Sequence, residues 1–227
     1  FATGSPAVFS DTQYGSYFYT EADRQMDFYF IRGDNLDGVV KGYRLLTGKA
    51  SMLPRWAFGF IQSQERYETQ EEILNIVAEY RRRGIGLDGI VLDWCSWTGD
   101  QWGQKTFDPE RFPNPKEMTD KLHEQNAHFM ISIWPNMREG TDNYREFSEQ
   151  QFLLPASEIY DAFNPKARQL YWKQAREGLF DKGVDAWWCD SCEPFTPEWG
   201  RQMKPEPSAM YHEFADTASK YLPQDRM

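Results

Sequence analysis

Residues 87–97 read LDGIVLDWCSW. A short, nearly unbroken apolar run, 87–92, closes on Asp93, and Trp94 and Trp97 follow at once. Such a run, bounded by turn residues, is the mark of a strand buried on both faces, as strands of a parallel sheet are. The pattern recurs on either side. Residues 56–61 (WAFGFI) lead into Gln62, Ser63, Gln64, Glu65, Arg66 and Tyr67. Residues 128–134 (HFMISIW) stop at Pro135-Asn136, and residues 184–189 (VDAWWC) end on Asp190, with Ser191, Cys192, Glu193 and Pro194 behind it.

Helical patterns separate these runs. Thr69 is placed to cap a helix over 70–83, with Ile73, Ile76, Val77 and Tyr80 on one face and Gly84 at its end. Residues 117–125, 144–151 and 166–178 read as further helices, the last opened by Asn164-Pro165 as cap and first position, and 207–222 reads as a final one. Strand–helix alternation of this kind gives an α/β fold with a parallel sheet. Four units of roughly 40 residues match the first half of a (β/α)8 TIM barrel over residues 56–227. They also match an open doubly wound sheet, but no strand is followed by the Gly-rich turn of a dinucleotide site.

Upstream, residues 14–31 read as two strands, Tyr17 to Tyr19 and Phe28 to Ile31, around a polar turn. They are a hairpin or the last strands of a β domain. Leu36, Val39, Val40, Tyr43 and Leu46 have helical spacing, with Asp34 or Asn35 to cap and Gly48 to stop. Residues 34–55 then form a linking helix ended by Leu53-Pro54.

Composition narrows the function. The 227 residues amount to about one and a half domains. A hydrophobic share of 40% with 26% charged residues suits a packed core rather than a disordered chain. The net charge of −10 speaks against nucleic acid and against an anionic membrane surface, and no apolar run is long enough to span a bilayer. Phe1 in place of an initiator Met reads as a chain processed or excised from a longer one. Three cysteines are too few for a disulfide scaffold, and the odd count leans towards a reducing, cytoplasmic setting, with a periplasmic or secreted one as the alternative. His123, His128 and His212 are scattered with no pair four apart, so neither metal nor cofactor is expected.

What the composition offers instead is aromatic surface: 16% of residues, nine of them Trp. In a parallel barrel the chemistry sits past the C-terminal ends of the strands. There the sequence places Asp93 and Asp190, with Glu193 close behind and Trp94, Trp97, Trp134 and Trp188 nearby. Indole faces stack on sugar rings, and carboxylates can attack or steady an anomeric centre and protonate a leaving oxygen. Asp100 and Asp108 fall to turn and capping roles in the long loop after Asp93, and Asp185 to a bond below the sheet. Cys189-x-x-Cys192 has the spacing of a redox dithiol, but bracketing Asp190 after paired Trp it reads as small packing residues, and Cys95 as buried.

Residues 42–54 (GYRLLTGKASMLP), 56–67 (WAFGFIQSQERY), 87–97, 107–115 (FDPERFPNP), 133–136 and 187–194 together resemble glycoside hydrolase family 31, on its α-xylosidase-like branch. The resemblance implies a retaining, exo-acting α-glycosidase of α-xylosidase or α-glucosidase type, on a (β/α)8 barrel preceded by a β-sandwich domain whose end is residues 1–33. It makes Asp190 the nucleophile and Asp93 a ligand of sugar hydroxyls in the −1 subsite. It also places Trp134 and Trp188 on the walls, with Trp94, Glu193, Gln62 and Arg66 among the substrate-binding residues. The family's acid/base is an Asp beyond strand five, so these 227 residues by themselves are expected to be inactive, with the remainder of the barrel as partner and self-association through unpaired strand edges. Two features depart from the common pattern: Asp190-Ser191-Cys192-Glu193 replaces Asp-Met-Asn-Glu, and Ile61 stands where the branch often has a bulky aromatic. A non-catalytic sugar-binding barrel and a retaining α-galactosidase-like enzyme are the alternatives.

Overall fold

The computed structural model describes residues 7–13, 15–20, 29–154 and 157–190. Glu193 and the helix expected over 207–222 lie outside them. The chain divides into two units, Leu53–Pro194 and a second comprising Phe1–Met52 and Phe195–Met227.

In the smaller unit β1 (Ala7–Thr12) and β2 (Gly15–Thr20) form an antiparallel hairpin, registered from Ala7 with Thr20 to Thr12 with Gly15. The expected strand over Phe28 to Ile31 is not formed at residues 29–31, where Tyr29 and Phe30 are exposed, and Phe28 lies outside the described residues. The physical reason is that β2 takes its partner from upstream, across a tight connection. Helix α1 (Leu36–Thr47) begins where Asn35 Oδ1 accepts the Gly38 N–H at 2.9 Å and ends at Gly48, whose N–H returns to Arg44 O at 3.0 Å.

The larger unit is built on a four-stranded sheet of β3 (Ile61–Glu65), β4 (Gly89–Asp93), β5 (His128–Ile133) and β6 (Ala186–Cys189), all parallel and in sequence order. Between them run α2 (Gln70–Arg82), α3 (Pro115–Glu124), α4 (Asp142–Glu149) and α5 (Pro165–Gly178). This is the α/β architecture of successive barrel units. One strand needs correcting. Arg55–Phe58, which takes up the first three residues of the apolar run WAFGFI, forms a 3-10 turn after Pro54, and the strand starts only at Ile61. Phe58 and Phe60 are left exposed. A described edge strand has one neighbour and need not be apolar throughout, so IQSQE serves where WAFGFI was expected.

Caps written in the sequence set the helix starts. Thr69 Oγ1 accepts the Glu72 N–H, and Glu72 Oε2 reaches back to the Glu68 N–H at 2.6 Å, so two orphan donors are satisfied at once. Asn164 Oδ1 accepts the Lys166 N–H ahead of Pro165. Arg81 then ties α2 to the foot of the sheet by donating to Leu87 O, Gln125 O and Asn126 O.

Side-chain parity divides the sheet. Ile90, Leu92, Phe129, Ile131, Ile133 and Trp187 pack with Ile73 and Val77 of α2, Met118 and Leu122 of α3 and Ala175 of α5 in one continuous core. Burying an aromatic or aliphatic side chain of this size stabilises by about 1.5–3 kcal/mol. The alternate residues, Val91 and Asp93, Met130 and Ser132, Trp188 and then Asp190, take the opposite face, which is the interior side of a barrel. A smaller cluster of Met137, Phe147, Ala167 and Leu170 fills the excursion between β5 and α5.

Two of the three histidines meet in space, and His212 lies outside the described residues. His123, at the end of α3, and His128, at the start of β5, meet Asp185 just before β6. Asp185 also accepts the Phe129 N–H at 2.8 Å, the bond below the sheet its position suggested.

Candidate active site

Asp93 and Asp190 stand past the same end of the sheet. Glu65 pairs with Asp93, Ser132 with Trp188, and the Asp190 N–H continues the ladder by donating to Ile133 O at 3.1 Å. Both carboxylates follow the interior parity, two strands apart, about 10 Å at the backbone. Asp93 is held from the strand between them. Ser132 Oγ lies 2.6 Å from Asp93 Oδ1 and accepts the Trp94 N–H at 2.9 Å. Sequence reading did not single out Ser132. The signal was its place two residues before Trp134 on an inward-facing position of β5.

Beyond Asp93 the chain turns through two left-handed residues, Trp94 at φ 45° and Cys95 at φ 68°. This turn throws the loop of residues 94–114 back over the sheet end. Four indoles gather there: Trp97 and Trp134 with centroids 5.1 Å apart, and Trp102 within 5.8 Å of both Trp94 and Trp134. Trp134 is 3% exposed and Trp97 likewise, so both are the floor of the cluster, whereas Trp94 and Trp102 are half-buried. The Nε1 atoms of Trp94, Trp102 and Trp134 are enclosed and have no hydrogen-bond acceptor among the described residues. Trp102 was not anticipated, although it recurs five residues after Trp97 in a loop of the right composition. Trp188, at 47% exposure, is an open aromatic face on β6 beside Asp190.

The loop has its own braces. Arg111 Nη2 donates to Cys95 O and Trp97 O at 2.5 and 2.7 Å. Asp108 Oδ1 accepts the N–H groups of Glu110 and Arg111. Burial pushes the Asp108 carboxyl up, but those bonds and the Arg111 guanidinium together hold it below its ordinary value. Asp100 pairs with Arg138, as expected of a loop-organising acid. A Cβ at Gly103, whose φ is +77°, would stand 2.0 Å from Asn136 O, so only glycine lets this loop lie against the end of β5.

Behind the cluster is a buried lysine. Lys105 Nζ lies 4.2 Å over the Tyr171 ring and 3.5 Å from Gln174 Oε1, and the Tyr171 hydroxyl donates to Trp134 O at 2.5 Å. Burial lowers its pKa to about 7 against the opposing pull of Glu146.

Two expected contacts fall elsewhere. Gln62 belongs to the outward parity: its Oε1 accepts the Tyr80 hydroxyl at 2.8 Å, within the helix layer. Cys189 is exposed rather than packed, Cys95 is buried as expected, and Cys192 lies outside the described residues. Arg66 lies by the indoles, its guanidinium 5.8 Å from the Trp94 ring centroid. Among the described residues one group could hold a metal, His123, His128 and Asp185, and it stands at the opposite end of the strands.

Parallel βα units with carboxylates and indoles past the strand C-termini are the catalytic side of a (β/α)8 barrel. Residues 50–221 match the glycosyl hydrolases family 31 TIM-barrel domain. The chain therefore belongs to family 31. It is 42% identical over 176 residues to an α-xylosidase of Saccharolobus solfataricus, covering 78% of this chain and 24% of that protein. It is 26% identical over 195 residues to an α-glucosidase of the same organism, covering 80% of this chain and 28% of that one. A family 31 α-xylosidase structure from Xanthomonas citri superposes with TM-score 0.67 at 44% identity, over 71% of this chain and 19% of that one. The chain thus spans about a quarter of the length of the curated relatives it matches.

Proposed function

We propose that this domain supplies the nucleophile half of a retaining, exo-acting α-glycosidase. Its substrate would be an oligosaccharide ending in an α-linked xylose or glucose. The observation that carries the reading is the placement of Asp190 and Asp93 at one end and on one face of the parallel sheet, beside the indole cluster. The likeness to proteins named α-xylosidase supports the xyloside side of it.

In this mechanism the Asp190 carboxylate attacks the anomeric carbon and forms a glycosyl ester. A second carboxylic acid, which the family resemblance puts beyond strand five, protonates the departing oxygen and then activates water. Asp93, oriented by Ser132, accepts from sugar hydroxyls, bonds that strengthen as the ring flattens. Trp188 offers the sugar an apolar face, and Trp94 with Arg66 lines the adjoining rim. Residues 1–33 would be the end of a β-sandwich domain and 34–55 its link to the barrel.

The test is covalent trapping. A 5-fluoro xylosyl fluoride incubated with the complete enzyme should label a peptide containing Asp190, and Asp190→Ala should lower aryl α-xyloside turnover by about 10^3-fold or more. A label on another residue, or turnover that survives Asp190→Ala, overturns the assignment. Aryl α-glucoside and α-galactoside run in parallel rank the −1 sugar.

A further inference from the structure

We propose that His123, His128 and Asp185 form a zinc site at the N-terminal end of the strands, separate from the carboxylates that carry the chemistry. The three side chains come from three elements: the last turn of α3, the first residue of β5 and the residue before β6. One ligand atom from each lies within 4.8 Å of the others.

The donor set is two imidazoles and a carboxylate, the borderline-soft combination that suits zinc. With bonds of about 2.0–2.2 Å, four-coordinate zinc holds neighbouring ligand atoms about 3.4 Å apart. His128 Nδ1 and Asp185 Oδ2 already stand at 3.4 Å. His123 Nε2 is 2.8 Å from the same oxygen, and its side chain, 37% exposed on a helix end, has the freedom for the small rotation that would open the gap.

A second observation points to a ligand. His128 Nδ1 is enclosed and, among the described residues, makes no well-formed hydrogen bond, its one polar neighbour being the Asp185 carboxylate 3.4 Å away, an under-satisfied condition for an enclosed ring nitrogen. The ring is fixed in that position by Trp56, stacked on it at 4.2 Å and 19°. The carboxylate is likewise fixed, by the Phe129 N–H, the kind of outer bond that orients metal-bound carboxylates. Three protein ligands leave a fourth position for water, and the partial exposure of both histidines gives the ion a way in. Because the strands run parallel, the ion would sit at the far end of β5 and β6 from Asp93 and Asp190, so its effect would be on stability and not on glycoside chemistry.

The experiment uses chelator-stripped complete protein titrated with Zn2+ by calorimetry, and with Co2+ followed by visible absorption. One equivalent of Zn2+ should bind, Co2+ should give the intense bands of a four-coordinate ion, and Tm should rise by about 5 °C or more at a hundredfold excess over Kd. His123→Gln, on the exposed helix end, and Asp185→Asn, which keeps an acceptor for the Phe129 N–H, should each weaken binding by about tenfold or more. Aryl glycoside turnover should be the same with and without metal. Zn2+ binding that is absent from the unmodified protein, or unchanged in both variants, overturns the proposal and marks the cluster as an ion pair only.

Discussion

The two faces of the same sheet meet different fates. On the outward face Ile90, Phe129 and Ile131 are 0–1% exposed, sealed against three helices. On the inward face the strand ends carry Asp93, Ser132, Trp188 and Asp190, with Trp188 47% open. Neighbouring residues on one strand, Trp187 and Trp188, land on opposite sides: Trp187 packs edge-on against Trp172 of α5 while Trp188 faces the interior. One face therefore holds the fold together, and the other is left polar where a ligand would bind. Parity, not residue type, decides which indole does which.

The largest expected effect breaks the outward face. Phe129→Ala removes a fully buried ring between α3 and the sheet and should cost about 3–5 kcal/mol of unfolding free energy by denaturant titration, with the remaining activity per folded molecule unchanged. A smaller change than ~1 kcal/mol would mean that the helix layer is not the keystone claimed. Ser132→Ala tests the inward face. It should leave Tm within a few degrees yet lower kcat/KM about 10–100-fold, because Asp93 loses its anchor, and a Ser132→Ala/Asp93→Asn double variant that loses no more than Asp93→Asn alone would show that both act through one carboxylate.

Lys105 tests the region behind the indoles. Its native pKa, about 7, lies below that of an unfolded lysine, so between those values the unfolded chain binds the extra proton. Stability should therefore rise with pH above about 7, at up to ~1.4 kcal/mol per pH unit from this group, and fall away to its lowest contribution below it. Lys105→Met should flatten that part of the profile. An unchanged slope would show that the ammonium is charged in place, satisfied by Tyr171 and Gln174.

Much of this was legible in the chain. The caps Asn35, Thr69 and Asn164 act at the positions where they are written, because capping is a local bond between a side chain and the next turn. The central strands β4 and β5 were legible because burial on both faces demands continuous apolar residues. The first strand was not, since IQSQE at a described edge obeys no such demand, and the apolar WAFGFI beside it was spent on a turn. For the site, strand-end position was readable but facing was not. Gln62 and Ser63 are adjacent in sequence, and only the register shows that Gln62 turns to Tyr80. The meeting of His123, His128 and Asp185 was beyond reach for another reason: it depends on Asp185 lying 57 residues from His128 and being brought beside it by strand pairing.

The left-handed pair at Trp94 and Cys95 sets terms for anyone redesigning this pocket. Both positions are pinned by backbone torsion before their side chains are considered, so a randomised library that includes them would discard most members, above all those with Val, Ile or Thr, to strain. Diversity is better invested at Thr98 and Gln101, exposed polar positions of the loop tip, leaving Gly99, itself at φ 55°, and the Asp100 brace untouched.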